Sequence, residues 1–110
     1  MSKDKRIEAL KAVAHPARLL ILETLHAGEM NVGEIEDAAR IGQPALSQQL
    51  AVLRKAGLVA TRKHAKLVYY RLAREKIAEL AGLMSSLGEG QAASPRRTPT
   101  PGVANFARLS

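Results

Sequence analysis

The sequence contains no cysteine and no tryptophan, and its aromatic residues are two tyrosines and one phenylalanine. Without cysteine, the chain cannot form disulfides, thiolate metal sites or cysteine redox switches. The scarcity of aromatic rings argues against single-stranded nucleic-acid binding, which relies on rings that stack on bases. No apolar run reaches the roughly 20 residues of a membrane span, and the charged N-terminus lacks the apolar segment of a secretion signal. We therefore expect a soluble, cytoplasmic protein.

The positive charge of this chain is confined to one segment. The 110 residues fit a single domain and carry a net charge of +7. Residues 54–76 contain eight Lys and Arg residues and a single acid, Glu75, whereas the remainder of the chain is nearly balanced. A solvated surface usually mixes the two signs. A segment of one sign indicates a polyanionic partner.

Apolar periodicity predicts a mainly α-helical fold. We expect four helices at about residues 4–14, 16–26, 32–39 and 44–56. Leu and Ile cover most of the circumference of the second helix, which predicts a buried, central position. His15 is expected to cap this helix. Asn31 and Glu34 have the spacing of a capping box at the start of the third helix.

A small β-hairpin and a last helix are predicted to follow. Residues 58–63 and 66–72 are rich in β-formers, with His64–Ala65 as the expected tip. The apolar stripe of residues 74–87 predicts the last helix. From Gly88 the sequence becomes rich in Pro, Ser and Arg, which predicts a disordered tail over 88–110. We thus expect one DNA-binding and dimerisation domain over residues 1–87.

The third and fourth helices have the arrangement of a helix-turn-helix, with a turn at Arg40–Gly42 in which Gly42 is a candidate cap or positive-φ residue. Three leucines at 46, 50 and 53 recur on one face of the fourth helix, so its polar N-terminal residues must point outward. Such residues can read base edges, because Gln bonds bidentately to adenine and Ser bonds to several bases. The predicted base-reading residues are Gln43, Ala45, Ser47, Gln48 and Gln49. The alternative is a solvated helix face.

Cations follow the fourth helix and surround the hairpin tip. A projecting β-ribbon with a cationic tip suits the DNA backbone or the minor groove, where its role is mainly electrostatic. The predicted phosphate-contacting residues are Arg54, Lys55, Arg62, Lys63, His64 and Lys66. Arg71 and Arg74 have the simpler interpretation of surface or dimer-contact residues.

Four runs resemble the ArsR/SmtB family of bacterial winged-helix repressors, in its branch of biofilm- and sulfide-responsive regulators. The runs are Ala14–Arg18, Gly42–Arg54, Gly57–Val59 and Val68–Leu72, and the match covers roughly residues 5–87. The resemblance implies a winged helix-turn-helix with four helices, two strands and a final helix. It also implies a homodimer that represses from a near-palindromic operator, although some relatives act as antirepressors.

The resemblance places the dimer interface on the first and last helices. The last helix supports this independently, because its apolar residues form a narrow, heptad-like stripe that suits a partner helix. The alternative is that the stripe packs only on its own core. The predicted interface residues are Ile7, Leu10, Ile77, Leu80, Ala81, Met84 and Leu87.

The chain departs from the family at the sites that sense an inducer. Metal-sensing relatives carry cysteines on the third helix or Asp and His on the last, and neither set is present here. Sulfide-responsive relatives use two cysteines, and by alignment those positions hold Glu23 and Glu89. We therefore predict no cofactor and no metal. The weak alternative is a metal site that combines His26 with Glu23 or Glu29.

Two other classes of function are alternatives to a DNA-binding regulator. A winged helix could instead serve as a protein- or RNA-interaction module, because a fold does not fix a function. An enzyme is not expected, since the chain has no Ser/His/Asp arrangement, no phosphate-cradling glycine loop and no paired acids in a plausible cleft.

Overall fold

Five helices and three strands make up the fold, in a computed structural model that describes residues 3–90, with side chains from Lys5 onwards. The elements are α1 (Lys3–Val13), α2 (Pro16–Leu25), β1 (Met30–Asn31), α3 (Val32–Ala39), α4 (Ala45–Lys55), β2 (Val59–His64), β3 (Leu67–Leu72) and α5 (Arg74–Glu89). The predicted mainly α fold with a small hairpin is confirmed. Most of the predicted tail, from residue 91 on, lies outside the described residues.

The sheet contains one strand that the sequence pattern did not predict. Its order is β1-β3-β2, and both pairings are antiparallel. β1 has only two residues, and Met30 pairs with Tyr70 while Asn31 pairs with Tyr69. A two-residue segment is too short to show alternation, so only its neighbour in space makes it a strand.

The core lies between the helices and the base of the hairpin. Its members are almost all aliphatic, as the scarcity of aromatic residues requires. The buried side chains are Ala9, Ala12, Ile21, Leu22, Leu25, Ile35, Ala39, Leu46, Leu50, Leu53, Leu58, Val59 and Leu80. The three predicted leucines of α4 are each at most 1% exposed, so α4 is fixed to the body of the protein by one face.

The predicted burial of α2 holds for one side of the helix only. Leu19 and Leu20 are 45% and 41% exposed, whereas Ile21, Leu22 and Leu25 face the core. At 3.6 residues per turn, one core can cover only one side of a helix, so the remaining apolar residues stay at the surface. For the same reason Ala38 on α3 is exposed.

The predicted helix caps of α2 and α3 are confirmed. The Nδ1 atom of His15 accepts a hydrogen bond from the Ala17 N–H at 3.1 Å. Asn31 and Glu34 form a reciprocal capping box, in which each side chain accepts from the other's backbone N–H at 2.9 Å. These bonds satisfy donors that a helix N-terminus otherwise leaves unpaired.

The turns around α4 differ in detail from expectation. The left-handed residue after α3 is Arg40, with φ 58°, rather than Gly42. Pro44 stands at the cap position just before α4, so the helix begins one residue after the predicted start at 44. Gly57, with φ 80°, follows the cap residue Ala56 and ends α4, because a residue without Cβ adopts this conformation at little cost.

The hairpin and the last helix also have shifted ends. The hairpin tip is Ala65–Lys66, with φ 57° at Ala65, so the first strand ends and the second begins one residue later than predicted.

The chain divides into two units after Leu80. In the second unit, α5 continues to Glu89, two residues beyond the predicted end. No helix within residues 3–90 has the length and apolar character to cross a membrane.

Candidate nucleic-acid interface

The surface of α4 is divided into a buried face and a broad exposed face. Because residues three and four apart share one side of a helix, Gln48 and Lys55 lie opposite the buried leucines, and Ser47 and Arg54 lie along one edge. This edge borders β3, where Ser47, Arg54, Lys55 and Tyr70 line a cleft of about 450 Å³. All the predicted base-reading residues except Gln49 are exposed. The polar surface of α4 therefore faces solvent.

Gln43 and Ser47 are joined at the N-terminal end of α4. The Oε1 atom of Gln43 accepts from the Ser47 hydroxyl at 2.7 Å and from the Ser47 N–H at 3.2 Å. The side chain of Gln43 thus caps the first turn. Its amide NH₂ group still has two donors directed away from this bond, so the pair can offer donors to a base or a phosphate.

Gln48 and Gln49 have different surroundings although they are neighbours. Gln48 is exposed, and its side chain makes no hydrogen bond within residues 5–90. Gln49 is half-buried, and its Oε1 accepts from Arg18 Nη1 at 2.8 Å. Gln48 is consequently free to bond to a base, whereas Gln49 would first have to share or release Arg18.

Sequence reasoning did not identify Arg18 as part of this region. Its guanidinium also donates through Nε to the Ala12 carbonyl oxygen at 2.7 Å. One side chain of α2 therefore connects the end of α1 to α4. Arg18 and Gln49 are 31 residues apart, so no local pattern could have indicated the contact.

Arg62 also has a bonding partner within the protein, the carboxylate of Glu29. It donates to both carboxylate oxygens of Glu29, at 2.8 and 2.7 Å, and its guanidinium lies 5.2 Å from the centre of the Tyr69 ring. The hydrogen bond from Arg62 lowers the pKa of Glu29, and the same bond raises the pKa of Arg62. A bidentate pair of this kind is geometrically specific, and it leaves Arg62 less available to a phosphate than its neighbours.

The remaining predicted cations are exposed. Lys63, His64 and Lys66 surround the hairpin tip, and the His64 ring meets the Tyr69 ring edge-on at 6.4 Å. Arg54 and Lys55 occupy the last turn of α4, where positive charge is favoured by the helix dipole. Neither lysine of the tip forms a salt bridge in the described part of the chain. These side chains can therefore exchange water for phosphate oxygens at little cost.

The predicted dimer residues fall into two groups. Leu10, Ile77 and Leu80 pack into or against the protomer's own core, and Leu80 is only 6% exposed. The others are exposed: they are Ile7 at 48%, Met84 at 55%, Leu87 at 71%, and Ala81. A partner would therefore contact mainly this second group, and their role stays a prediction.

The structure gives no support to the weak metal alternative. No group of three His, Asp or Glu side chains among the described residues is placed to hold a metal ion. His26 caps the C-terminal end of α2, and its carbonyl oxygen accepts from Arg74 Nη2 at 3.4 Å.

A helix that is fixed by one apolar face and exposes a polar surface, preceded by a short helix and turn and followed by a cationic hairpin, defines the winged helix-turn-helix class. Residues 15–61 match the family model described as bacterial regulatory protein, arsR family. A biofilm growth-associated repressor of Agrobacterium fabrum is 58% identical over 71 residues, which are 64% of this chain and 61% of that protein. The transcriptional activator HlyU of Vibrio cholerae is 42% identical over 83 residues, which are 76% of this chain and 77% of that one.

Solved structures agree with this assignment. The crystal structure of the repressor BigR from Xylella fastidiosa has a TM-score of 0.61 at 46% identity, covering 74% of this chain and 83% of that chain. A homodimeric winged helix-turn-helix domain from Mycobacterium bovis has a TM-score of 0.65 at 28% identity, covering 86% and 89%. The chain belongs to the arsR family, and it is a transcriptional regulator rather than an enzyme.

Proposed function

We propose that the protein is a homodimer that binds a near-palindromic DNA operator in a sequence-specific manner and represses transcription. The observation that carries this proposal is the exposed polar N-terminal part of α4, with Gln48 unpaired, which is followed in the chain by a hairpin whose tip displays Lys63 and Lys66. Base contacts from the helix would specify the sequence, and the lysines would position the protein on the backbone.

The dimer is supported by apolar side chains that the protomer leaves exposed. Met84 and Leu87 are more than half exposed on α5, and on α1 Ile7 is nearly half exposed. Large side chains of this type usually mark a contact surface when they form a stripe. A two-fold dimer would place two copies of α4 in successive major grooves, about 34 Å apart. The related domain from Mycobacterium bovis is described as homodimeric.

Repression is proposed because the Agrobacterium relative is named as a repressor. The Vibrio relative is named as an activator, so the direction of regulation requires its own test. A reporter gene placed behind the bound promoter should be expressed less when the protein is present. An increase would contradict repression while leaving DNA binding intact.

The DNA-binding proposal is tested by selecting duplexes from a random pool and comparing two variants. Gln48→Ala should relax the selected sequence at one base pair of each half-site, at a cost of about 1–3 kcal/mol for that pair. Lys63→Ala should weaken binding to all duplexes alike, because phosphates carry no sequence.

Two results would contradict the proposal. Equal losses for both variants across all duplexes would show that α4 does not read bases. No retardation of any duplex at low salt would leave a protein- or RNA-interaction module as the better account.

A further inference from the structure

A second, larger cleft lies on the other edge of α4. It has a volume of about 580 Å³ and is formed by α1, α2, α4 and the first turn of α5, all within the first unit. Pockets that hold small molecules usually have about 300–1,000 Å³. On α4 the lining of the cleft starts at Val52, one turn beyond Gln48, and includes Lys55, one of the predicted phosphate-contacting residues. The cleft thus borders the proposed DNA-binding surface and shares Lys55 with it.

The cleft combines positive charge with apolar surface. Val52, which is 40% exposed, and the small residues Ala12 and Ala56 supply the apolar part. Five cations line it against one acid, and they are Lys5, Lys11, Arg18, Lys55 and Lys76, with Glu8 as the acid. Such a lining favours an anion, because the charges attract it and the concave wall excludes part of its water.

Arg18 connects the cleft to α4, because it lines the cleft and bonds to Gln49. Two of its five N–H donors are used, one by the Ala12 carbonyl and one by Gln49 Oε1. The unused donors of the same guanidinium can serve an anion in the cleft. An anion that is bonded bidentately would also compete with Gln49, because a charged acceptor is the stronger partner.

We infer that this cleft binds an organic anion, that is, a carboxylate, sulfonate or phosphate attached to an apolar body. Binding of this anion lowers the affinity of the protein for DNA. The bound anion adds negative charge beside Lys55, which opposes phosphate binding there. It also draws Arg18 from Gln49, and this removes a hydrogen bond that connects α4 to α2. The regulatory half of this inference rests on the proposed function, whereas the binding half does not.

The binding half is tested with two probes that share one apolar body. 1-Anilinonaphthalene-8-sulfonate carries a sulfonate, and N-phenyl-1-naphthylamine lacks it. Fluorescence titration of the full chain should show saturable binding of the sulfonate at one site per protomer. The neutral probe should bind more weakly, and its affinity should not depend on the lysines of the cleft.

Variants locate the site. Lys11→Gln and Lys76→Gln should each weaken sulfonate binding about threefold, as expected for a partly exposed charge pair. Glu8→Gln should strengthen it by a similar factor, because it removes the one acid of the cleft. Glu75→Gln is the matched control, since it lies beside Lys76 on α5 but does not line the cleft. Unchanged sulfonate affinity in both lysine variants, or the same losses with the neutral probe, would overturn the site.

The coupling is tested by repeating DNA titrations with the sulfonate at micromolar concentration, which leaves the ionic strength unchanged. Affinity for duplex should fall about fivefold, and by linkage DNA should weaken sulfonate binding by the same factor. Bound sulfonate with unaltered DNA affinity would overturn the regulatory half. A protein that bound sulfonate but no duplex under any condition would instead refute the proposed function and leave the site standing.

Discussion

The salt dependence of DNA binding is the prediction that follows most directly from the arrangement of charges. Arg62 is occupied by Glu29, so we count as phosphate contacts only the exposed cations of the α4 end and the hairpin tip. They are Arg54, Lys55, Lys63 and Lys66. A dimer would then neutralise about eight phosphates, which predicts a slope of about −7 for log K against log salt concentration.

Replacing both lysines of the hairpin tip should change this slope by a calculable amount. Lys63→Gln with Lys66→Gln leaves about four contacts per dimer and a slope of about −4. Between 50 and 200 mM salt, the parent protein should lose about 10⁴-fold in affinity and the variant only about 10²-fold. Both side chains are exposed, so the fold should be unaffected.

Fluorescence anisotropy with an arbitrary labelled duplex measures this, because the backbone term does not depend on sequence. Lys11→Gln is the control, since Lys11 lies on α1 and already faces Glu8 at 3.5 Å. Its slope should equal that of the parent. If the double variant kept the parental slope, the hairpin tip would not contact the backbone and the account of the wing would be wrong.

Three further outcomes are expected. Leu87→Glu should convert the dimer to a monomer in sedimentation without unfolding it, because Leu87 is 71% exposed in the protomer; an intact dimer would remove α5 from the interface. Leu50→Ala should lower the free energy of unfolding by about 2–5 kcal/mol in denaturant titrations at fixed protein concentration, whereas the exposed Val52→Ala should change it by less than about 1 kcal/mol; equal effects would contradict the assigned core. The Glu29–Arg62 pair should stabilise the fold above the pKa of an unfolded-chain glutamate and lose this contribution as the pH falls through the lowered folded value. Carboxyl NMR titration should find the pKa of Glu29 below the ordinary value of a glutamate, and Arg62→Gln should raise it; no change would mean that the pair does not persist in solution.

Local patterns were sufficient for the helices and for the orientation of α4. Leu46, Leu50 and Leu53 have the spacing of one helix face, so their burial fixes which polar residues point outward. The caps at His15 and Asn31 were equally predictable, because a capping side chain bonds to a backbone N–H two or three residues away. The prediction failed where a helix had more apolar residues than one core could cover, as at Leu19 and Leu20.

The sequence by itself therefore determined the positions of the helices, the segment that carries the charge and the residues presented by α4. Only the tertiary structure decided which of those residues are free to act. Arg62 is paired with Glu29 from 33 residues earlier, Gln49 is held by Arg18 from 31 residues earlier, and β1 is a strand only because β3 lies beside it. Periodicity and capping are interactions within a turn or two of chain, whereas the partner of a charged side chain depends on segments that folding brings together from distant positions.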